Sequence, residues 1–133
     1  MRRYNLWVIF MAWQIETVEL FDRWWALLNE PEQISVMAVV RVLEERGPAL
    51  GRPYVDQIKG SRHQNMKELR VQHRRRALRI LFAFDPRRAA ILLLGGDKSG
   101  SKRWYDVNVP LADEAFDRHL QSLKETKATP KEK

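Results

Sequence analysis

The sequence contains no cysteine and only three histidines in 133 residues. Disulfide bonds and thiolate-bound metals are therefore excluded, and a reducing compartment, the cytoplasm, is expected. The histidines His63, His73 and His119 are not accompanied by a carboxylate cluster at metal-ligand spacing. We therefore expect no metal site and no cofactor.

Long hydrophobic runs are also missing. The run Leu6–Trp13 follows Arg2 and Arg3 like a short signal peptide, but it is too short to span a bilayer as a helix. Trp13-Gln14-Ile15-Glu16 follows it where a cleavage site would need small residues. We therefore predict no membrane association, and we interpret residues 1–12 as an N-terminal extension or the start of a first strand.

Acidic residues are scarce in the middle of the chain. Lys59–Arg88 contains ten lysines and arginines but only two acids, a balance of +8 within a total of +7. Such a concentration of positive charge is typical of a surface that contacts phosphates, although a solvated arginine-rich surface is the alternative.

Hydrophobic periodicity predicts one domain over residues 13–123, followed by a charged, flexible tail at 124–133. A first strand is expected within Leu6–Thr17. A helix with an apolar stripe should follow, and Pro31 suits the first turn of a second helix that ends at Gly47-Pro48. The stripe of the first helix consists of Leu20, Trp24, Leu27 and Leu28, with Phe21 and Trp25 beside it, and Trp24 is expected to be buried.

Three further strands and a helix complete the pattern. The strands are predicted at Met66–Gln72, Ala77–Phe84 and Ala89–Leu94, with residues 47–60 as a loop, and Gly95-Gly96 should end the last strand. A final helix is expected over Leu111–Leu123. The order β-α-α-β-β-β-α predicts an α+β fold in which a helical hairpin covers one face of a small antiparallel sheet.

Alternation along the strands places charged side chains on the opposite, open face. Arg70 and Arg79 should share this face, because Leu69, Leu78 and Ile80 point to the core. The loop after the next strand can add Lys98, Lys102 and Tyr105. Cations and a phenol on a concave sheet can bind a phosphate and stabilise charge on its oxygens, and RNA cleavage by its own 2′-hydroxyl needs little more than a base and an acid.

Other motifs are weak. Gly95–Gly100 resembles a phosphate-binding loop but lacks the Walker spacing. No nucleophile elbow or catalytic triad is present. The basic residues lie mainly on strands and loops, which disfavours DNA recognition by a helix-turn-helix.

Several segments of the chain form a recognisable combination: residues 47–61, Asn65-Met-Lys-Glu-Leu-Arg70, Arg79–Arg87, Leu92–Lys98, Trp104-Tyr105 and Pro110. Taken together, these segments resemble the phage-derived branch of HigB-like toxins in the RelE/ParE superfamily. The resemblance covers about Trp13 to Leu123.

This resemblance implies the toxin of a type II toxin–antitoxin pair, with a HigA-like helix-turn-helix antitoxin as its partner. It also implies metal-independent cleavage of mRNA on the translating ribosome. The catalytic positions of the superfamily fall on Arg70, Arg79, Lys98 and Tyr105. The residues expected to bind RNA are Lys59, Arg62, Lys67, Arg74, Arg75, Arg76 and Lys102.

The histidine-rich catalytic end of some HigB relatives has no counterpart here, because Asp113 and His119 lie on a helix with an expected structural role. Tyr105 or an amine would therefore serve as the general base. Two alternatives to RNA cleavage remain: a ParE-like inhibitor of DNA gyrase, and a basic nucleic-acid-binding module without catalytic activity.

Overall fold

The computed structural model describes residues 12–128, which form helices on both faces of a five-stranded sheet. The strands are β1 (Ile15–Thr17), β2 (Val55–Gln57), β3 (Lys67–His73), β4 (Arg76–Phe84) and β5 (Ala90–Asp97). The helices are α1 (Glu19–Leu27), α2 (Glu30–Arg46) and α3 (Arg103–Ala128), and a short 3-10 turn spans Gly47–Ala49. The predicted α+β class and the order of the predicted elements are confirmed.

The sheet has the strand order β1-β5-β4-β3-β2. As expected, β3, β4 and β5 pair antiparallel, whereas β1 pairs parallel with β5 at one edge. The strand β2 pairs antiparallel with β3 at the other edge, where the sequence predicted only loop. Three residues among glycines and prolines carry too little periodicity to indicate a strand, so β2 depends on its partner β3.

The hairpin of α1 and α2 packs on one face of the sheet. A capping box starts α2: the Asn29 side chain accepts a hydrogen bond from the Glu32 amide, and the Glu32 carboxylate accepts one from the Asn29 amide, with Pro31 in the first turn as predicted. Val36, Val40 and Leu43 of α2 join the strand residues of this core. Those strand residues are the predicted set, which includes Leu69, Val71, Leu78, Ile80 and Phe82.

The prediction of an open opposite face is wrong. The helix α3 covers much of that face, where Val109, Ala112 and Phe116 pack on Leu81 and Ile91 in a second core. The helix also starts and ends beyond the predicted Leu111–Leu123 span. Pro110 lies inside it on the exposed side, where the missing amide hydrogen bond faces solvent.

The strand β5 continues through Gly95 and Gly96, so the prediction that these glycines end it is also wrong. A Cβ on Gly95 would lie 2.3 Å from the Trp24 ring, and one on Gly96 would lie 2.4 Å from Nε1 of Trp104. The two glycines therefore remain in the strand and make room for one indole on each face.

The first helix buries less of its stripe than expected. Phe21 is buried, but Trp24 is only half-buried and Leu27 is 82% exposed. The nine-residue helix α1 thus buries Phe21 and, at its C-cap, Leu28, while Leu27 in its last turn faces solvent. The predicted extension at residues 1–12 lies outside the described residues except for Ala12, and α3 includes the first five residues of the predicted tail.

Candidate active site

The four predicted catalytic residues come together on the α3 side of the sheet, at the N-terminal end of that helix. Arg70 of β3 and Arg79 of β4 are direct cross-strand neighbours. Tyr105 lies in the first turn of α3, which corrects its predicted place on a flexible loop. The turn between β5 and α3 contains Lys98, whose Nζ lies 6.0 Å from the centroid of the Tyr105 ring.

The carboxylate of Glu68 lies at the centre of these residues. Oε1 of Glu68 accepts a hydrogen bond from the Tyr105 hydroxyl at 2.6 Å, and Oε2 accepts one from Nε of Arg70 at 2.9 Å. Nε of Arg79 lies 3.6 Å from Oε1. Glu68 is only 3% exposed, so these three neighbours stabilise its buried charge. We call Glu68, Arg70, Arg79, Lys98 and Tyr105 the Glu68 cluster.

A second carboxylate extends the network toward the sheet edge. Oδ2 of Asp56 on β2 accepts a hydrogen bond from Arg70 at 3.2 Å and one from Arg52 at 2.9 Å. The backbone amide of Gln57 also donates to Asp56. This bond, the hydrogen bond from Arg52 and the positive charges of Arg52 and Arg70 lower the pKa of Asp56 below its usual value, against the effect of burial. Arg70 is thus held between two carboxylates, yet its side chain remains 35% exposed and available to an anion.

Arg79 is more enclosed than Arg70, with a side chain only 12% exposed. One terminal nitrogen donates to the Leu78 carbonyl at 3.0 Å. Its Nε is the single buried side-chain nitrogen or oxygen without a hydrogen-bond partner in residues 12–128. An unpaired buried donor costs folding free energy. The guanidinium of Arg79 therefore keeps unused hydrogen-bonding capacity at a position where leaving it unused is unfavourable.

The environment of Tyr105 determines what its hydroxyl can do. Desolvation by burial and the hydrogen bond to Glu68 raise the pKa of Tyr105 to about 12, although the positive charge of Arg79 opposes this rise. The phenol is therefore protonated near neutral pH. It can accept a proton from a substrate only if its own proton moves to another group.

Sequence reasoning did not identify Glu68 and Asp56 as site residues. Glu68 shares the strand parity of Arg70, and this spacing was the available signal. Asp56 lies on the unpredicted strand β2, so no pattern in the sequence indicated its position.

The predicted RNA-binding residues do not form one surface. Lys102 lies exposed just before α3, close to Tyr105, and Arg74 and Arg75 are exposed on the turn between β3 and β4. Lys59 is exposed beyond β2. Lys67 is on the other face of the sheet, 5.8 Å from the Phe84 ring centroid.

Two of the predicted RNA-binding arginines form ion pairs within the protein. Arg62 pairs with Asp117 of α3, and Arg76 pairs with Glu32 and with Asp97, the latter at 3.0 Å. These pairs hold the β3–β4 turn and the loop before β3 against the helices. Their guanidiniums are therefore less available to RNA than the prediction assumed.

The acidic and histidine residues of α3 have structural contacts, as predicted for Asp113 and His119. Asp113 is buried and accepts hydrogen bonds from the Ser61 hydroxyl and the Arg62 amide. His119 bonds to the buried Asp85 at 2.8 Å. Within residues 12–128, no group of three or more His, Asp or Glu side chains is placed to hold a metal ion.

Comparison with known proteins places the chain in a family. The model of the phage-derived Gp49-like proteins, a family of the DUF891 type, matches residues 23–117, which include the whole Glu68 cluster. The chain belongs to the phage-derived Gp49-like family.

Two relatives come from Mycobacterium tuberculosis. The chain is 52% identical over 102 residues to "Putative toxin HigB3", with 76% of this chain and 88% of the relative covered. It is 49% identical over 112 residues to "Putative toxin HigB2", with 83% of this chain and 56% of that relative covered. The resemblance to HigB-like proteins is therefore confirmed.

Among solved structures, the RelB–RelE antitoxin–toxin complex from Methanococcus jannaschii matches with a TM-score of 0.49 and 12% identity. The match covers 68% of this chain and 95% of the solved chain. None of the helices between residues 12 and 128 is both long and apolar enough to cross a membrane.

Proposed function

We propose that this HigB-like chain is the toxin of a type II toxin–antitoxin pair and cleaves mRNA through attack of the RNA 2′-hydroxyl. The observation that carries this proposal is the convergence of Arg70, Arg79, Lys98 and Tyr105 on one partly exposed patch. Three cations beside a phenol can bind a phosphodiester and stabilise the charge that develops on its oxygens.

Each residue has a role that fits its position. The exposed part of Arg70 can bind a non-bridging phosphate oxygen, and Arg79 can stabilise the phosphorane from within the sheet. Lys98 borders the phenol and can donate a proton to the departing 5′-oxygen. Tyr105 would exchange a proton with the 2′-hydroxyl. Residues outside the cluster, including Lys102 and the exposed Arg74 and Arg75, would contact further phosphates of the RNA or ribosome in the cytoplasm.

Purified protein incubated with mRNA, with and without translating ribosomes, tests this function. We expect cleavage by the wild type, and a loss of 100- to 1000-fold in rate for Arg70→Ala and Tyr105→Phe, because each removes one oriented group at the phosphate. Arg41→Ala is the matched control, since Arg41 is exposed on α2, on the other face of the sheet. Equal activity in all variants would contradict the proposal, and inhibition of DNA gyrase without RNA cleavage would replace it.

The partner expected for such a toxin is a helix-turn-helix antitoxin. The helical hairpin offers a docking surface, because Leu27, Ile34 and Met37 are 82%, 63% and 40% exposed. Met37 also lines an apolar groove of about 300 Å³ between α1 and α2. An antitoxin bound there would contact the face opposite the Glu68 cluster, so we expect it to act through the complex it forms and not by filling the catalytic patch.

A further inference from the structure

The buried carboxylate of Glu68 has no role in the function proposed so far. A carboxylate that is 3% exposed costs folding free energy unless its neighbours stabilise it, and a well-packed apolar side chain could fill the same space. Here the carboxylate bonds to Tyr105 and Arg70, and it faces Arg79. Two of these three neighbours are cations assigned to phosphate binding, and the third is the proposed proton-exchanging group.

We propose that Glu68 is the proton acceptor of a two-residue relay, in which Tyr105 contacts the RNA 2′-hydroxyl and passes its own proton to Glu68. This inference rests on the proposed function. Glu68 is too enclosed to touch a ribose, so it acts through Tyr105 and is a positioning residue. Tyr105, in the first turn of α3 beside Lys98, is the member of the pair that substrate can reach.

The step balances without a metal or redox partner. The 2′-hydroxyl proton moves to the Tyr105 oxygen, while the Tyr105 proton moves to Oε1 of Glu68 over the existing 2.6 Å hydrogen bond. The 2′-oxygen forms a bond to phosphorus, and the bond from phosphorus to the 5′-oxygen breaks. The 5′-oxygen takes a proton from the Lys98 ammonium, which leaves a 2′,3′-cyclic phosphate and a free 5′-hydroxyl.

A phenol alone would be a poor base at this position. Burial and Glu68 raise the pKa of Tyr105 to about 12, so the protonated phenol predominates near neutral pH and has no vacant site for a second proton. The hydrogen bond to Glu68 provides the route by which its proton can leave as the substrate proton arrives.

The surrounding charges fit this transfer. The charged groups around the pair are Arg70 from β3, Arg79 from β4, Asp56 from β2 and Lys98 from the turn after β5. Before the reaction, both guanidiniums neutralise Glu68. When Glu68 takes a proton, this negative charge disappears as negative charge accumulates on the phosphorane, so both arginines become available to the transition state.

Glu68→Gln tests the relay, because glutamine keeps the size and an acceptor oxygen but cannot take the proton. With mRNA as the substrate, either on translating ribosomes or free in solution, we expect the cleavage rate of this variant to fall by about 100- to 10,000-fold at neutral pH. This range is the usual contribution of a general base. The remaining rate should rise about tenfold per pH unit up to about pH 9, because Tyr105 must then ionise by itself. Glu45→Gln, an exposed change on α2, should leave the rate unchanged.

A second readout does not depend on catalysis. Removal of the Glu68 charge should lower the pKa of Tyr105, which the ultraviolet phenolate band reports once the spectrum of Tyr105→Phe is subtracted. A melting curve of each variant shows whether it is folded. If Glu68→Gln does not fold, the wild type is tested with RNA that carries sulfur at the scissile 5′-position, a leaving group that needs no acid. A relay then moves two protons and predicts a curved dependence of rate on the deuterium content of the solvent.

The outcomes separate this inference from the proposed function. A folded Glu68→Gln that cleaves with the wild-type rate and pH profile overturns the relay alone. A reduced rate without a rising pH profile, an unchanged Tyr105 pKa, or a linear deuterium dependence also overturns it and leaves Glu68 a structural ion-pair partner. A wild type that does not cleave RNA overturns the proposed function and the relay with it.

Discussion

Gly95 and Gly96 offer a sharp test of how the sheet joins the two helical layers. Their register partners on β4 are Ile80, which points to the hairpin core, and Arg79, which points to the Glu68 cluster. Alanine at either position would place a methyl group 2.3–2.4 Å from an indole ring, so that ring must move by about 1 Å to restore ordinary contact. We expect each substitution to lower the free energy of unfolding by about 1–3 kcal/mol, the usual cost of overpacking.

Denaturant unfolding at constant m-value measures this change. Gly51→Ala is the matched control, because nothing lies within 4 Å of its added Cβ and its φ is not positive. We expect its unfolding free energy to change by less than about 1 kcal/mol, with a gain in stability from reduced freedom of the unfolded chain.

The two glycines should differ in activity although they cost similar stability. Gly96→Ala displaces Trp104, the neighbour of Tyr105, and should reduce the proposed RNA cleavage, whereas Gly95→Ala displaces Trp24 on the opposite face and should not. Equal unfolding free energies for Gly51→Ala and the two strand variants would refute the packing argument. Equal loss of activity in both strand variants would refute the assignment of faces.

Three further outcomes are expected. Burial opposes ionisation of Asp97, but hydrogen bonds from Ser99 and Arg76 together outweigh burial and lower the pKa of Asp97 to about 2. The stability that Asp97 contributes is therefore present above about pH 4 and is lost as the pH falls toward 2; Asp97→Asn should flatten that part of a stability profile, and an unchanged profile would contradict this. Met37→Glu should weaken antitoxin binding in a titration while RNA cleavage by the free protein persists, and unaltered affinity would exclude the hairpin groove as the docking site. Alanine at Arg74 and Arg75 together should reduce the salt dependence of RNA binding by about 0.7 in log–log slope for each phosphate that the variant no longer neutralises, and an identical slope would remove both arginines from the interface.

The sequence alone determined the type and order of the helices and strands other than β2, and the faces of the central strands. Alternation in β3 and β4 places Leu69, Leu78 and Ile80 in one core and Arg70 and Arg79 on the other face, because successive side chains of a strand must point to opposite sides. The cap of α2 and the Asp85–Arg88 turn follow from residues that stabilise their own neighbourhood, and the turn is closed by a hydrogen bond from the Arg88 amide to the Asp85 carbonyl. The Arg, Lys and Tyr members of the cluster could likewise be selected from strand parity and family resemblance.

Only the tertiary structure decided what lies against each face. Gly95 and Gly96 end a strand by local propensity, but they remain in β5 because Trp24 and Trp104, distant in sequence, occupy the space of their missing side chains. The helix α3 closes the face expected to be open, and it brings Tyr105 to within hydrogen-bonding distance of Glu68 across 37 residues of chain. Burial and neighbouring charge control the chemistry of a carboxylate or phenol, and both depend on contacts that no local pattern encodes.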